Sequence, residues 1–66
     1  MNLTYLRSFY TTVKCNSISK AAKQLHLTQP GVSMQIQKLE NDINFKLLNR
    51  SNTGVSLTSA GEIIFE

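Results

Sequence analysis

The stretch LTQPGVSMQIQ, residues 27–37, holds three glutamines, a serine and a threonine and no charged side chain. Val32 and Ile36, continued by Leu39 and Ile43, recur at spacings of four, three and four, which is a helical period. The face opposite Val32, Ile36 and Leu39 carries Pro30, Met34, Gln37, Lys38 and Asn41, with Ser33 at its flank. Glutamine can pair bidentately with an adenine edge, serine donates or accepts, and Pro30 and Met34 offer apolar surface suited to a thymine methyl. An uncharged, amide-rich face is poor at solubilising a domain and well suited to reading bases. Other chemistries lack their parts. Ser33 has no partner base and no third group to make it a nucleophile. His26 has no cysteine or second histidine with which to hold a metal, so a turn role suits it better. The four acidic residues, Glu40, Asp42, Glu62 and Glu66, are not paired across a cleft, and Glu40 reads as a solubilising residue or the partner of a nearby lysine. No enzyme activity, cofactor or metal is expected.

The elements that must position this face are helices. Asn2 is a good N-cap, after which Leu3, Leu6, Phe9, Tyr10 and Val13 fall on one side of a helix and Arg7, Ser8, Thr11 and Lys14 on the other. Ser17 can cap a second, short helix whose Ile18, Ala21, Ala22 and Leu25 form a narrow apolar face, the paired alanines letting a neighbour cross closely. His26, Leu27 and Thr28 then make a three-residue connection, with His26 able to take a positive φ. Thr28 caps the third helix, and Pro30 is tolerated in its first turn because N–H groups there have no intrahelical partner. Gly31 is either a neutral choice or small to permit a close approach, at a cost of about 1 kcal/mol relative to alanine. Asn44 suits the left-handed position that ends the helix. Two apolar runs around Ser51-Asn52-Thr53-Gly54 read as a β-hairpin, and Thr58 or Ser59 starts a last helix, Ser59 and Glu62 having capping-box spacing. The chain ends inside that helix, which reads as a piece of a longer protein.

Length and charge set the limits. Sixty-six residues make one small domain with one core. The apolar fraction of 41% is too high for a disordered tail, and no apolar run approaches the roughly 20 residues of a membrane span. The start has no basic region followed by an apolar one, and Cys15 is alone, a small buried or half-buried residue that fits a reducing compartment. A cytoplasmic protein with no membrane partner is expected. Residues 1–39 carry Arg7, Lys14, Lys20, Lys23 and Lys38 and no acid, a positive field that attracts polyanions.

Two helices joined by a three-residue turn, the second longer and polar outside, make a helix-turn-helix, and the hairpin makes it winged. The expected fold is mainly α: a three-helix core, a short β-hairpin wing and the start of a linker helix. Residues 19–22 (SKAA), 25–30 (LHLTQP), Val32, Ser33, Ile36, Leu39, Glu40, Arg50 and residues 57–62 (LTSAGE) resemble the N-terminal DNA-binding domain of LysR-type transcriptional regulators over nearly the whole chain. The resemblance implies a DNA-binding domain at residues 1–57 and, at 58–66, the beginning of a dimerisation and linker helix. It implies sequence-specific binding of double-stranded DNA at inverted repeats, with the helix at about 28–43 in the major groove. It also implies a homodimer or tetramer through the linker helix, and a small-molecule co-inducer held by a C-terminal domain absent from these 66 residues. By position it makes Gln29, Pro30 and Ser33 groove contacts with Met34 beside them, sets Lys20 and Thr28 near phosphates, and gives Arg50 and the turn with Asn52 to the wing. Gln37 and Lys38 join the DNA-facing set. The sequence departs from the family at Met34 and Gln37, where polar or basic residues are common, and in a wing turn without arginine or lysine, so weaker phosphate anchoring is expected. The alternative is a winged-helix module that binds protein and not DNA.

Overall fold

The computed structural model describes residues 2–51 and 54–65. Short polar side chains open every helix. Asn2 Oδ1 accepts from the Thr4 N–H at 2.7 Å and starts α1, Leu3–Cys15; Ser17 Oγ accepts from Lys20 N and starts α2, Ile18–Leu25. Thr28 Oγ1 accepts from Gly31 N at 3.0 Å and starts α3, Gln29–Ile43, with Pro30 in the first turn. The three helix ends are left-handed residues: Asn16 (φ 53°), His26 (φ 58°) and Asn44 (φ 61°). The expected capping signals therefore set all three helix starts and the ends of α2 and α3, and Asn16 ends α1 in the same way, with asparagine and histidine in a role glycine more often fills.

The rest of the chain is a hairpin and a last helix. Strand β1, Leu48–Ser51, pairs antiparallel with β2, Gly54–Leu57, in the register Leu48 to Leu57 and Arg50 to Val55. Helix α4 spans Ser59–Phe65. Its cap is Thr58, whose Oγ1 accepts from Gly61 N at 3.0 Å, so Ser59 lies in the first turn and the Ser59–Glu62 capping box is not the one used. Threonine one position earlier wins because its hydroxyl also donates to the Lys46 carbonyl, tying the helix start to the segment before β1.

The core is Phe9, Ala22, Val32, Ile36, Leu39, Leu47 and Leu48, with Ala21 also fully buried. The faces expected for α2 and α3 are the ones that pack. The division expected for α1 is not. Ser8, Thr11 and Thr12 are buried, whereas Leu3 is 81% exposed and Tyr10 about half exposed. Helix α1 meets α2, α3 and β2, and Tyr10 and Phe9 also meet Phe65 of α4; Leu3, Arg7, Tyr10 and Lys14 form its exposed stripe, and Ser8, Thr11 and Thr12 fall on packed sides. Those hydroxyls are satisfied internally: Thr12 donates to the Ser8 carbonyl at 2.8 Å, and Ser8 donates to Gln35 Oε1 on α3. Among the described residues no buried side-chain nitrogen or oxygen lacks a hydrogen-bond partner. Cys15 is half-buried, and its thiol donates to Gln24 Oε1 at 3.3 Å.

Candidate nucleic-acid interface

The side chains of interest come from three places: the start of α2, the outer face of α3, and β1. The helix starts are held together by one contact. Gln29 Nε2 donates to Ser19 Oγ at 3.2 Å, so the first residue of α3 is joined to α2 across the turn. One of the two Nε2 donors of Gln29 is thus engaged, which leaves the second N–H and Oε1 for a two-bond pairing with a base. Thr28 is exposed, and its hydroxyl is taken up as the cap. Beyond it Pro30, Met34, Gln37, Lys38 and Asn41 are exposed along α3, and Ser33 is half-buried at their edge. Met34 is 51% exposed, a large apolar side chain left in solvent, not packed under the wing.

Of the residues named from sequence, the fold brings Ser33, Gln37 and Arg50 together. They line one open groove between α3 and β1, along with Glu40, Lys46, Leu48 and Asn49. Lys20 and Lys38 are exposed and do not line that groove. Asn52 lies outside the described residues. The sequence reading missed Lys46 and Asn49. Alternation along β1 was the available signal for Asn49, which follows the buried Leu48 and so points away from the core; Lys46 precedes the strand and carried no such signal.

Glu40 is the larger correction. Expected as a solubilising residue or the partner of a lysine, it turns its carboxylate back onto the chain. Glu40 Oε2 accepts from Leu47 N at 2.7 Å and from Leu48 N at 3.3 Å. The chain enters β1 with two buried leucines in succession, and a carboxylate on α3 is well placed to satisfy their N–H groups. Glu40 therefore fixes the distance between α3 and the hairpin, and with it the width of the groove.

Gly31 is also clarified. A Cβ there would sit 3.0 Å from Thr28 Oγ1, tighter than most such contacts, so the small residue leaves room for the threonine cap. The charge split along the sequence does not become a single surface. Arg7 lines a separate hollow with Gln24, His26 and Gln35, and the Lys14 ammonium stands 5.8 Å over the Tyr10 ring. Among the described residues no group of three or more His, Cys, Asp and Glu could hold a metal ion, and no helix is long and apolar enough to cross a membrane.

Known proteins share this arrangement. The family model described as "Bacterial regulatory helix-turn-helix protein, lysR family" matches residues 3–62. The RuBisCO operon transcriptional regulator of Allochromatium vinosum is 43% identical over 65 residues, covering 98% of this chain and 22% of that protein. The HTH-type transcriptional regulator GltR of Bacillus subtilis (strain 168) is 45% identical over 64 residues, covering 97% of this chain and 22% of the relative. The chain thus spans about a fifth of the length of the curated relatives it matches. Among solved structures, the CbnR DBD–DNA complex matches with a TM-score of 0.93 at 37% identity, over 98% of this chain and 75% of that one. The BenM DBD bound to catB site 1 DNA matches with a TM-score of 0.92 at 38% identity, over 98% of this chain and 73% of that one. By its winged helix-turn-helix and a family match over residues 3–62, the chain belongs to the lysR family of bacterial regulatory helix-turn-helix proteins.

Proposed function

We propose that the chain binds double-stranded DNA sequence-specifically, with α3 in the major groove and the hairpin against the backbone. The observation that carries this reading is the exposed, uncharged face of Gln29, Pro30, Met34 and Gln37 beside a groove that holds Ser33, Lys46 and Arg50. Amides and hydroxyls on that face supply base readout, and the cations around it supply attraction to phosphate. Lys20, Thr28, Arg50 and Asn52 are assigned to the backbone; Gln29, Pro30, Ser33 and Met34 to base edges, with Gln37 and Lys38 beside them. DNA complexes of two similar domains support the reading as a DNA-binding chain.

In this reading residues 1–57 form the DNA-binding unit and residues 58–66 begin a linker helix through which the longer protein dimerises or forms tetramers on inverted repeats. The apolar hollow of Ile43, Phe45, Ala60, Ile63 and Ile64, with Phe45 and Ile63 strongly exposed, supports α4 as a surface for another helix. The longer protein is a cytoplasmic, non-enzymatic transcription regulator that responds to a small molecule held outside these residues.

The test is base discrimination. Duplexes bound from a random pool define the preferred site, and single-base variants of that site are then titrated with Ser33→Ala and Gln29→Ala. Each substitution should lose about 1–3 kcal/mol of discrimination at particular base pairs. Equal weakening at every sequence would return both residues to backbone contacts.

A further inference from the structure

Asn16 ends α1 in the left-handed conformation, a role its backbone fills alone. Its side chain does something else: Asn16 Oδ1 accepts from the Val55 N–H at 3.2 Å, 39 residues away. Because Val55 N–H points to Asn16, it is turned away from β1, onto the outer edge of a two-stranded ladder. A two-stranded hairpin is marginal by itself and its outer N–H groups are ordinarily left to water. Here one of them is held by the helix-turn-helix.

A second observation points to the same contact. Gly54 precedes Val55 with φ at +139°, and a Cβ on it would lie 2.9 Å from Asn16 Oδ1 and 3.0 Å from Asn16 Nδ2. The start of β2 is therefore shaped, by backbone conformation and by the missing side chain, to let the Asn16 amide approach. On the other side of the ladder Val55 is the cross-strand partner of Arg50. Arg50 is the exposed cation of β1 in the groove beside Ser33 and Gln37. A bond at Asn16 thus fixes the strand residue directly opposite Arg50.

We propose that Asn16 is a positioning residue for DNA engagement, setting the wing, and through the Val55–Arg50 pair the Arg50 guanidinium, at a fixed place relative to α3. The proposal rests on the DNA-binding reading above. It predicts a division of labour within one residue: the backbone stops α1 and the side chain places the wing.

Asn16→Gly separates the two, because glycine adopts the left-handed region freely and keeps the helix end while removing the amide. Three measurements on the 66-residue chain decide the matter: thermal unfolding, amide exchange at Val55, and binding to a random-sequence duplex across a salt series, each also with Arg50→Ala and with the double variant. Asn16→Gly should still unfold cooperatively, with the Val55 amide exchanging about tenfold faster or more while the α3 amides keep their protection. Asn16→Asp, which keeps the acceptor, should restore that protection. Arg50→Ala should reduce the magnitude of the slope of log affinity against log salt by about 0.9, the loss of one phosphate contact. In the Asn16→Gly background it should have almost no further effect, since a displaced Arg50 has already lost that contact. Additive losses, or unchanged Val55 exchange in Asn16→Gly, overturn the proposal while leaving DNA binding intact. Absence of duplex binding by the unsubstituted chain at low salt overturns the DNA reading itself, and the role of Asn16 in DNA engagement with it.

Discussion

At the scale of single residues, the side chains that build the site are divided between those that face outward and those that hold the frame. Gln29, Ser33 and Gln37 are chemically similar to Gln24 and Gln35, yet Gln24 accepts from Cys15 at the surface between α1 and α2, and Gln35 from Ser8 at the part-buried contact of α1 with α3. Composition cannot separate these two groups; only the wheel position does, and it did so correctly for α3. Glu40 shows the limit of that reading. It sits at the border of the apolar stripe, where a carboxylate in sequence looks like ordinary surface, and its partners, Leu47 and Leu48 N–H, are seven and eight residues further on. Hydrogen bonds to a charged group contribute about 1.5–3 kcal/mol each, and the two leucines are buried, so their N–H groups have little recourse to water. Glu40→Ala should therefore lower stability by at least about 2 kcal/mol in a urea titration. Glu40→Gln, which keeps an acceptor without charge, should lose less. Equal stability of the alanine variant and the parent would show that the carboxylate is a surface group after all.

At the scale of elements, helix boundaries were the most legible part of the fold. Asn2, Ser17 and Thr28 each cap the helix they precede, and Asn16, His26 and Asn44 each end one, because these signals act within four residues and need no tertiary partner. Faces were legible for α2 and α3 and not for α1, which packs against several neighbours and so buries Ser8 and Thr12. The placement of α4 was not legible at all, since it depends on a backbone-to-backbone approach. Gly61, fully buried in the first turns of α4, would place a Cβ 2.1 Å from the Leu47 carbonyl oxygen and 3.1 Å from Leu57 Cδ2. No side chain can be moved aside to relieve the first of these contacts; the strand entry or the helix must shift. That same Leu47 residue is held through its N–H by Glu40, so a shift there reaches the groove. Gly61→Ala should improve local helix propensity by up to about 1 kcal/mol, and yet lower Tm by about 4–8 °C for each net kcal/mol lost. Scanning calorimetry decides between the two effects, and a raised Tm would show that α4 is free to move away from β1.

At the scale of the whole molecule, the net charge of +3 is small, and its placement matters more than its size. Two of the seven cations serve other surfaces: Arg7 borders the hollow with His26, and Lys14 lies over Tyr10, itself stacked on Phe65 at 4.9 Å. Lys20, Lys23, Lys38, Lys46 and Arg50 remain as exposed cations, on α2, α3, β1 and the segment before β1. If two to four of them neutralise phosphates, log affinity should fall against log salt with a slope between about −2 and −4, at roughly −0.9 per contact. That range is shallow for a DNA-binding protein, in keeping with a wing turn that contributes no arginine or lysine. The slope also separates the two kinds of contact that the site combines. Lys20→Ala should weaken binding to every duplex alike and make the slope shallower by about 0.9. Ser33→Ala should leave the slope where it is and change only the ranking of sequences. A slope unmoved by Lys20→Ala would remove Lys20 from the backbone contacts and leave attraction to Lys23, Lys38, Lys46 and Arg50. A flat salt dependence for the parent chain would be incompatible with phosphate binding of any kind, and would favour a winged helix that docks on protein.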